Sequence, residues 1–144
     1  MDEIKKDPTG FSTALEVHYD QDVDFFFHKI ELADRIILNI QINGVMDTTF
    51  DIPVSSRTTI NQAISGTMDI EDAGVEPRLL VGNHANFKIL IVASQIGKLI
   101  ALGQTPKDTI LSIGSKWFGR GDEVGDDDFD KLMFVLGNVK KILS

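Results

Sequence analysis

Residues 25–50 read FFFHKIELADRIILNIQINGVMDTTF, and most of the predicted sheet comes from this stretch. Its centre alternates aliphatic side chains with more polar ones, because Ile36, Leu38, Ile40 and Ile42 are separated by Ile37, Asn39 and Gln41. Successive side chains of a strand point to opposite faces, so the pattern predicts one aliphatic face and one face carrying mostly amides. Asn43-Gly44 follows directly, and both residues tolerate the positive φ of a tight hairpin turn. The stretch therefore predicts consecutive antiparallel strands near residues 24–32, 35–42 and 46–52.

The same alternation extends toward the N-terminus. Between Phe11 and Tyr19, apolar residues alternate with polar ones, which predicts a half-buried strand that ends in a turn at residues 20–22. Residues 1–10 are charged and contain a proline, so we expect a flexible N-terminal tail. Because the sequence has no internal repeat or low-complexity tract, residues 11–144 are expected to form a single domain.

One amphipathic helix is predicted between residues 87 and 102. Its apolar residues recur at three- and four-residue steps, namely Ile89, Val92, Ala93, Ile96, Leu99 and Ile100. The β-branched residues within 89–92 would also suit a strand, but the longer periodicity favours a helix. Short strands are predicted on either side of this helix, at residues 78–82 and 109–113.

The final helix is predicted to pack on the sheet. The carboxylates of residues 126–128 would satisfy free N–H groups at its start, and Lys140 and Lys141 suit its C-terminal end. Its predicted buried stripe consists of Phe129, Leu132, Met133, Leu136, Val139 and Leu143. The chain as a whole is expected to have an α+β fold, with a single antiparallel β-sheet of about six strands and two main helices packed on one face.

The composition is that of an acidic globular protein. The chain has 144 residues, of which 42% are hydrophobic, and a formal net charge of −8. A negative surface repels nucleic acid and anionic lipid, so neither nucleic acid nor a membrane is an expected partner, although the charge also serves solubility. The absence of cysteine excludes disulfides and thiolate metal sites and favours a reducing compartment. No apolar run of a signal peptide follows Met1.

Residues 53–77 are the least regular part of the sequence. They are rich in Ser, Thr, Gly and Asp, and only Ile60, Ala63 and Ile64 suggest a helical turn. Loops of this length inside a compact domain are uncommon and are either functional or disordered. The composition leaves both alternatives open.

No catalytic, cofactor-binding or metal-binding constellation is predicted. The glycine-rich residues 114–125 lack the Gly-Lys-Ser/Thr ending of a phosphate-binding loop. The acidic run at 126–128 lacks the ligand spacing of a calcium loop, and helix capping explains it better. His18, His28 and His84 show neither metal-ligand spacing nor a nucleophile signature, and surface or hydrogen-bonded histidines are the simpler interpretation.

Four residues are candidates for contact with a protein partner. Trp117 and Phe118 lie in the glycine-rich loop, and large rigid rings are enriched at interfaces. The alternative is that both rings fold back on the core. Asn39 and Gln41 lie on the amide-bearing sheet face, which we expect Glu16 and Lys29 of neighbouring strands to share. This face is either hydrated or meets a partner through a mixed interface.

Several strings of the chain resemble the proteasome assembly chaperone 4 family, including its fungal counterparts. Residues 25–52 are similar to the early strand meander of that family, with matches at Leu32, Asp34, Ile36, Leu38, Ile40 and Phe50. Residues 93–114 are similar to its Ala-Gln-x-Leu-Ala helix and the following strand, with matches at Ala93, Gln95, Ile96, Leu99, Ile110 and Ser112. The closing helix FDKLMFVLGNVKKIL is similar as well. The resemblance covers about residues 11–143, but the 53–77 segment looks long for the family and the 114–125 loop has no clear counterpart.

The resemblance implies a non-enzymatic chaperone for assembly of the 20S proteasome core particle. It implies a heterodimer with a proteasome assembly chaperone 3-like subunit, which holds alpha-type subunits, notably subunit 5, while the alpha ring forms. It also implies a location in cytoplasm and nucleus and no cofactor. The residues alone leave a second hypothesis open, namely a small adaptor or trafficking module with a related sheet-and-helix fold.

Overall fold

The computed structural model describes residues 3–6, 10–54, 75–103, 105–119 and 125–143. Within these residues the strands and helices are β1 (Glu3–Lys6), β2 (Ser12–Tyr19), β3 (Val23–Glu31), β4 (Arg35–Ile42), β5 (Thr48–Ile52), β6 (Arg78–Val81), α1 (Phe87–Ala101), β7 (Asp108–Ile113) and α2 (Asp128–Leu143). A short 3-10 turn at Lys116–Phe118 precedes α2. The described strands form one 7-stranded sheet in the order β1-β2-β3-β4-β7-β5-β6, slightly more than the predicted number. The α+β fold with one sheet and two main helices is confirmed.

The sheet is mixed, which corrects the prediction of an entirely antiparallel sheet. β4 and β7 run parallel, with Ile40 opposite Ile113, whereas the other neighbouring strands pair antiparallel. The chain between β4 and β7 passes through β5, β6 and α1, and parallel neighbours require a long connection of this kind. Alternation of side chains shows which residues share a face but not the direction of a strand, so the sequence pattern did not reveal the parallel pair.

The turn predicted at Asn43-Gly44 is present. Both residues have positive φ, at 52° and 77°. Ile42 and Val45 exchange two backbone hydrogen bonds of 3.1 and 3.0 Å across the turn. The chain then leaves β4, and β5 pairs with β7 instead, so that β7 lies between the two strands that this turn connects.

The aliphatic face of the sheet forms the core, as its alternation predicted. Phe27 of β3 lies opposite Leu15 of β2 and Ile40 of β4, and all three are fully buried. Phe50 and Leu111 continue this layer across β5 and β7. Burying one such side chain contributes about 1.5–3 kcal/mol before chain entropy is subtracted, so this layer holds the sheet and helices together.

Helix α1 packs the face that its periodicity predicted. The Asn86 side chain caps its start by accepting a hydrogen bond of 3.2 Å from the Ile89 backbone N–H, so residues 89–92 are helical. The buried residues of α1 are Ile89, Val92, Ala93, Ile96, Gly97 and Ile100. Gly97 allows close packing, because a Cβ added there would lie 2.4 Å from Val75 Cγ1 and 2.9 Å from Ile52 Cγ2.

Helix α2 is rotated relative to the prediction. The predicted stripe is wrong at Phe129 and Met133, which are 69% and 50% exposed. The residues buried by α2 are Val135, Asn138, Val139 and Ile142. The apolar residues of α2 are distributed over most of its sides, so periodicity alone does not fix the rotation of the helix. Phe134 fixes it, because its ring packs edge-on against Tyr19 and Phe25 at centroid distances of 4.9 and 5.0 Å.

The beginning of the chain differs from the expected tail. Glu3–Lys6 form β1, an edge strand in which Ile4 lies opposite Leu15 of β2. Lys5 and Lys6 accompany this apolar residue, and lysines on an edge strand discourage pairing with other chains. Four of the residues expected in a flexible tail are therefore paired in the sheet.

Both described ends of the 53–77 segment return to the core. Val54 and Val75 are buried, and the Val54 backbone N–H donates a hydrogen bond of 3.0 Å to Asp108 Oδ1. The helical turn predicted at residues 60–64 lies outside the described residues, as does most of the segment. Residues 120–124 of the glycine-rich loop lie outside them as well. Both alternatives for residues 53–77 therefore stay open.

Candidate protein interaction surfaces

The two described helices pack against the same side of the sheet. Phe134 of α2 packs on Phe25, and Gly97 of α1 lies beside Ile52. Phe25 and Ile52 both belong to the buried layer. The side chains that alternate with this layer point to the opposite side, which we call the helix-free face.

An aliphatic row crosses the helix-free face. Ile30 of β3 lies opposite Ile37 of β4, which in turn lies opposite Ile110 of β7. All three side chains are only half-buried, although strands flank them on both sides. Asp51 and Arg78 continue the row across β5 and β6 as an ion pair of 2.6 Å. An apolar centre with a charged border is the usual composition of a protein interface.

A polar row runs beside these isoleucines. In strand order it consists of His28, Asn39, Ser112 and Thr49. The hydroxyls of Ser112 and Thr49 are 3.0 Å apart, so a side-chain hydrogen bond joins β7 to β5 on this face. Gln41 lies opposite Phe26, whose ring stacks on His28. Asn39 and Gln41 therefore lie on the helix-free face, and their role in partner binding stays a prediction.

Trp117 and Phe118 fold back on the core, which is the alternative considered from the sequence. Phe118 is buried, and the Trp117 ring lies 4.8 Å from Phe25 and 5.0 Å from Tyr19, measured between ring centroids. Lys131 Nζ lies 5.1 Å above the indole and donates a hydrogen bond of 2.8 Å to the Trp117 carbonyl. These contacts make both rings part of the fold, and a direct role in binding remains a prediction.

Asp47 fastens the 3-10 turn to the sheet. Its carboxylate accepts hydrogen bonds from the Ser115 backbone N–H at 2.9 Å and from the hydroxyls of Ser115 and Thr48 at 3.0 and 3.1 Å. Partial burial raises the pKa of Asp47, but these hydrogen bonds to the charged form outweigh it and hold the pKa below its ordinary value. The turn that carries Trp117 is thus held at Ser115, the residue that precedes it.

Lys29 lies on the buried side of the sheet, so the prediction that it shares the amide-bearing face is wrong. It stands opposite Leu38 of the core layer, and its ammonium group reaches Glu31 at 3.4 Å. Lys107 approaches the same carboxylate at 3.3 Å. Burial raises the pKa of Glu31, and the two lysines more than compensate, so the pKa lies below its ordinary value. A long lysine side chain can cross apolar surface in this way when its charge finds a partner.

An open cleft of about 700 Å³ lies between the C-terminal ends of the two helices. Its lining is mostly aliphatic, with Ile36, Leu99, Ile100, Leu102 and Leu143. Glu31 and Lys140 are the ionisable residues of this lining, and Glu31 is engaged in ion pairs. A carboxylate held in its charged form between ammonium groups is a weak proton donor at neutral pH. The cleft is suited to apolar contact.

The described part of the chain contains no group of three or more histidine or carboxylate residues that could hold a metal ion. His18 lies on the surface and pairs with Asp24 at 2.6 Å. Neither described helix combines the length and apolar composition needed to cross a bilayer.

Comparisons with known proteins identify the family. The family model of the 20S proteasome chaperone assembly proteins 3 and 4 matches residues 1–140. Proteasome chaperone 3 of Saccharomyces cerevisiae is 25% identical over an alignment of length 165, which covers 92% of either chain. A chain in the crystal structure of a novel chaperone complex for yeast 20S proteasome assembly is similar in fold, with a TM-score of 0.64 and 22% identity over 92% of this chain and 98% of that one. The resemblance drawn from the sequence is confirmed: the chain belongs to the family of 20S proteasome chaperone assembly proteins 3 and 4.

Proposed function

We propose that this chain acts without catalysis as an assembly chaperone of the 20S proteasome core particle, in a heterodimer with a chaperone 3-like partner that scaffolds alpha-ring formation. The helix-free face is the observation that carries the proposal. Its row of Ile30, Ile37 and Ile110 leaves aliphatic surface half-exposed on the side of the sheet opposite both described helices. Burying such a row against another sheet would gain about 25 cal/mol for each Å² of apolar surface removed from water.

The partner would be a second, different member of the same family. The family model joins two chaperone types, proteins 3 and 4. The strings that resemble chaperone 4 support a chaperone 3-like partner for this chain. A partner with a similar sheet could place its own helix-free face over this one, and packed sheets lie about 10 Å apart.

The clients of the heterodimer would be alpha-type subunits, notably subunit 5. The pair would hold them in cytoplasm and nucleus while the ring assembles, and would leave before the particle matures. The family resemblance supports this part of the proposal. An adaptor or trafficking module, the other hypothesis from the sequence, would bind neither a family partner nor alpha-type subunits.

Size-exclusion chromatography of the chain co-expressed with a chaperone 3-like partner tests the pairing. Wild type should elute as a heterodimer, whereas Ile37→Asp should elute as separate monomers, because it places a charge between two isoleucines at the centre of the helix-free face. The matched control Ile91→Asp places the same charge on α1, away from this face, and should leave the heterodimer intact. Thermal unfolding of each variant alone would establish that both are folded. Separate monomers for wild type, or an intact heterodimer for Ile37→Asp, would count against this pairing.

A further inference from the structure

Both helices carry large apolar side chains on their outer side. Phe87 and Ile91 of α1 are 60% and 53% exposed, and Phe129 and Met133 of α2 are comparably exposed. The members of each pair are four residues apart, so each pair forms a strip along one side of its helix. Single exposed apolar residues are common, but a group of them marks an interaction site.

The two strips lie side by side. Lys88, which follows Phe87, forms an ion pair of 3.1 Å with Asp128, which precedes Phe129. The helices run in the same direction from this point, because their C-terminal ends line one cleft. The four side chains therefore form a single patch, the outer helix surface, defined by Phe87, Ile91, Phe129 and Met133.

The outer helix surface has an acidic border. Asp126, Asp127 and Asp130 surround Phe129 in the sequence and are exposed. The neighbouring Lys88 and Lys131 have largely buried side chains that form ion pairs with carboxylates of the first turn of α2 or just before it. Asp126 and Asp130 therefore present negative charge to solvent beside Phe129.

We infer that the outer helix surface docks a basic amphipathic segment of the client subunit. Its apolar side chains would cover the four residues of the patch, and its lysines or arginines would face the aspartates. The inference rests on the proposed function. It assigns client binding to the outer helix surface and partner binding to the helix-free face. Complementary charge across such an interface steers association and fixes register. A second copy of this chain fits badly, because a twofold contact would bring the same aspartates together.

Binding of the purified heterodimer to immobilised recombinant alpha-type subunit 5 tests the inference. The double variant Phe129→Ala with Met133→Ala should raise Kd about tenfold or more, because exposed aromatic anchors at an interface carry a large share of its energy. Asp126→Asn with Asp130→Asn should raise Kd several-fold at low salt and flatten the dependence of Kd on salt concentration. Phe11→Ala is the matched control, because Phe11 is 58% exposed just before β2, and it should leave Kd unchanged.

The outcomes separate the inference from the proposed function. If the wild-type heterodimer does not bind subunit 5, the proposed function fails and the inference with it. If wild type binds and the Phe129/Met133 variant binds equally tightly, the inference fails and the proposed function stands. Wild-type binding that does not depend on salt would contradict a basic client segment. Light scattering of the chain alone tests for a self-contact. If wild type is a homodimer and the Phe129/Met133 variant is a monomer, the patch binds a second copy and the inference is overturned.

Discussion

At the scale of single residues, two glycines within helices have opposite surroundings. A Cβ added to Gly97 in α1 would lie 2.4 Å from Val75, far inside contact distance. A Cβ added to Gly137 in α2 would meet nothing within 4 Å. The same substitution should therefore have opposite effects at the two positions.

Gly137→Ala should raise the free energy of unfolding by about 0.5–1 kcal/mol, because alanine restricts the unfolded chain and favours the helix. Gly97→Ala should lower it by about 1–3 kcal/mol, because the packed layer must shift to admit a methyl group. Urea denaturation followed by the fluorescence of the single tryptophan measures both. An unchanged stability of Gly97→Ala would disprove the close packing of α1 on Val75.

Asp47 makes the stability of the fold depend on pH. Its pKa is lower in the folded chain than in the unfolded one, so its hydrogen bonds to Ser115 and Thr48 contribute stability above the ordinary aspartate pKa of about 4. This contribution is lost as pH falls through the lowered folded pKa. Asp47→Asn should therefore destabilise the protein at about pH 7, with a smaller difference from wild type at about pH 3.

Urea denaturation at both pH values measures this difference, and Asp22→Asn in the exposed turn after β2 is the control. If Asp47→Asn lowered the free energy of unfolding equally at both pH values, the charge of Asp47 would not be what stabilises its contacts with Ser115 and Thr48.

At the scale of elements, the rotation of α2 decides which residues are structural and which are available for binding. Phe134 and Met133 are neighbours in the sequence but lie on different sides of the helix. Phe134→Ala should lower the free energy of unfolding by about 2–4 kcal/mol, because it removes the ring contacts with Tyr19 and Phe25. Met133→Ala should change it by less than about 0.5 kcal/mol, because the side chain is half in solvent. Thermal or urea unfolding of the two variants compares them directly, and the opposite ranking would restore the stripe predicted from the sequence.

The buried side of α1 was predictable because its apolar residues recur at three- and four-residue steps and Asn86 caps its start, although Phe87 and Ile91 lie on its outer side. Helix α2 was only partly predictable, because its apolar residues surround it and its rotation depends on aromatic partners in β2 and β3. The same limit applies to Trp117 and Phe118. Their loop sequence shows neither the burial of Phe118 nor the packing of Phe25, Tyr19 and Lys131 around Trp117. Contacts with residues distant in sequence determine both the rotation of α2 and the packing of the two loop rings.

At the scale of the whole molecule, the order of the strands builds the helix-free face. Alternation in β4 predicted that Asn39 and Gln41 share one face, and the structure agrees. It did not predict the aliphatic row, because the positions of Ile30 and Ile110 beside Ile37 depend on the register of β3 and on the insertion of β7 between β4 and β5. The outer helix surface was also missed, because Phe129 and Met133 were assigned to the core.

In the proposed function, this chain works by presenting surface to other proteins during proteasome assembly. Native affinity purification of the tagged full chain, followed by mass spectrometry, is the decisive test. A second family member and alpha-type proteasome subunits, including subunit 5, should co-purify with the chain, without mature core particles. Recovery of the chain without any alpha-type subunit would contradict the proposed function.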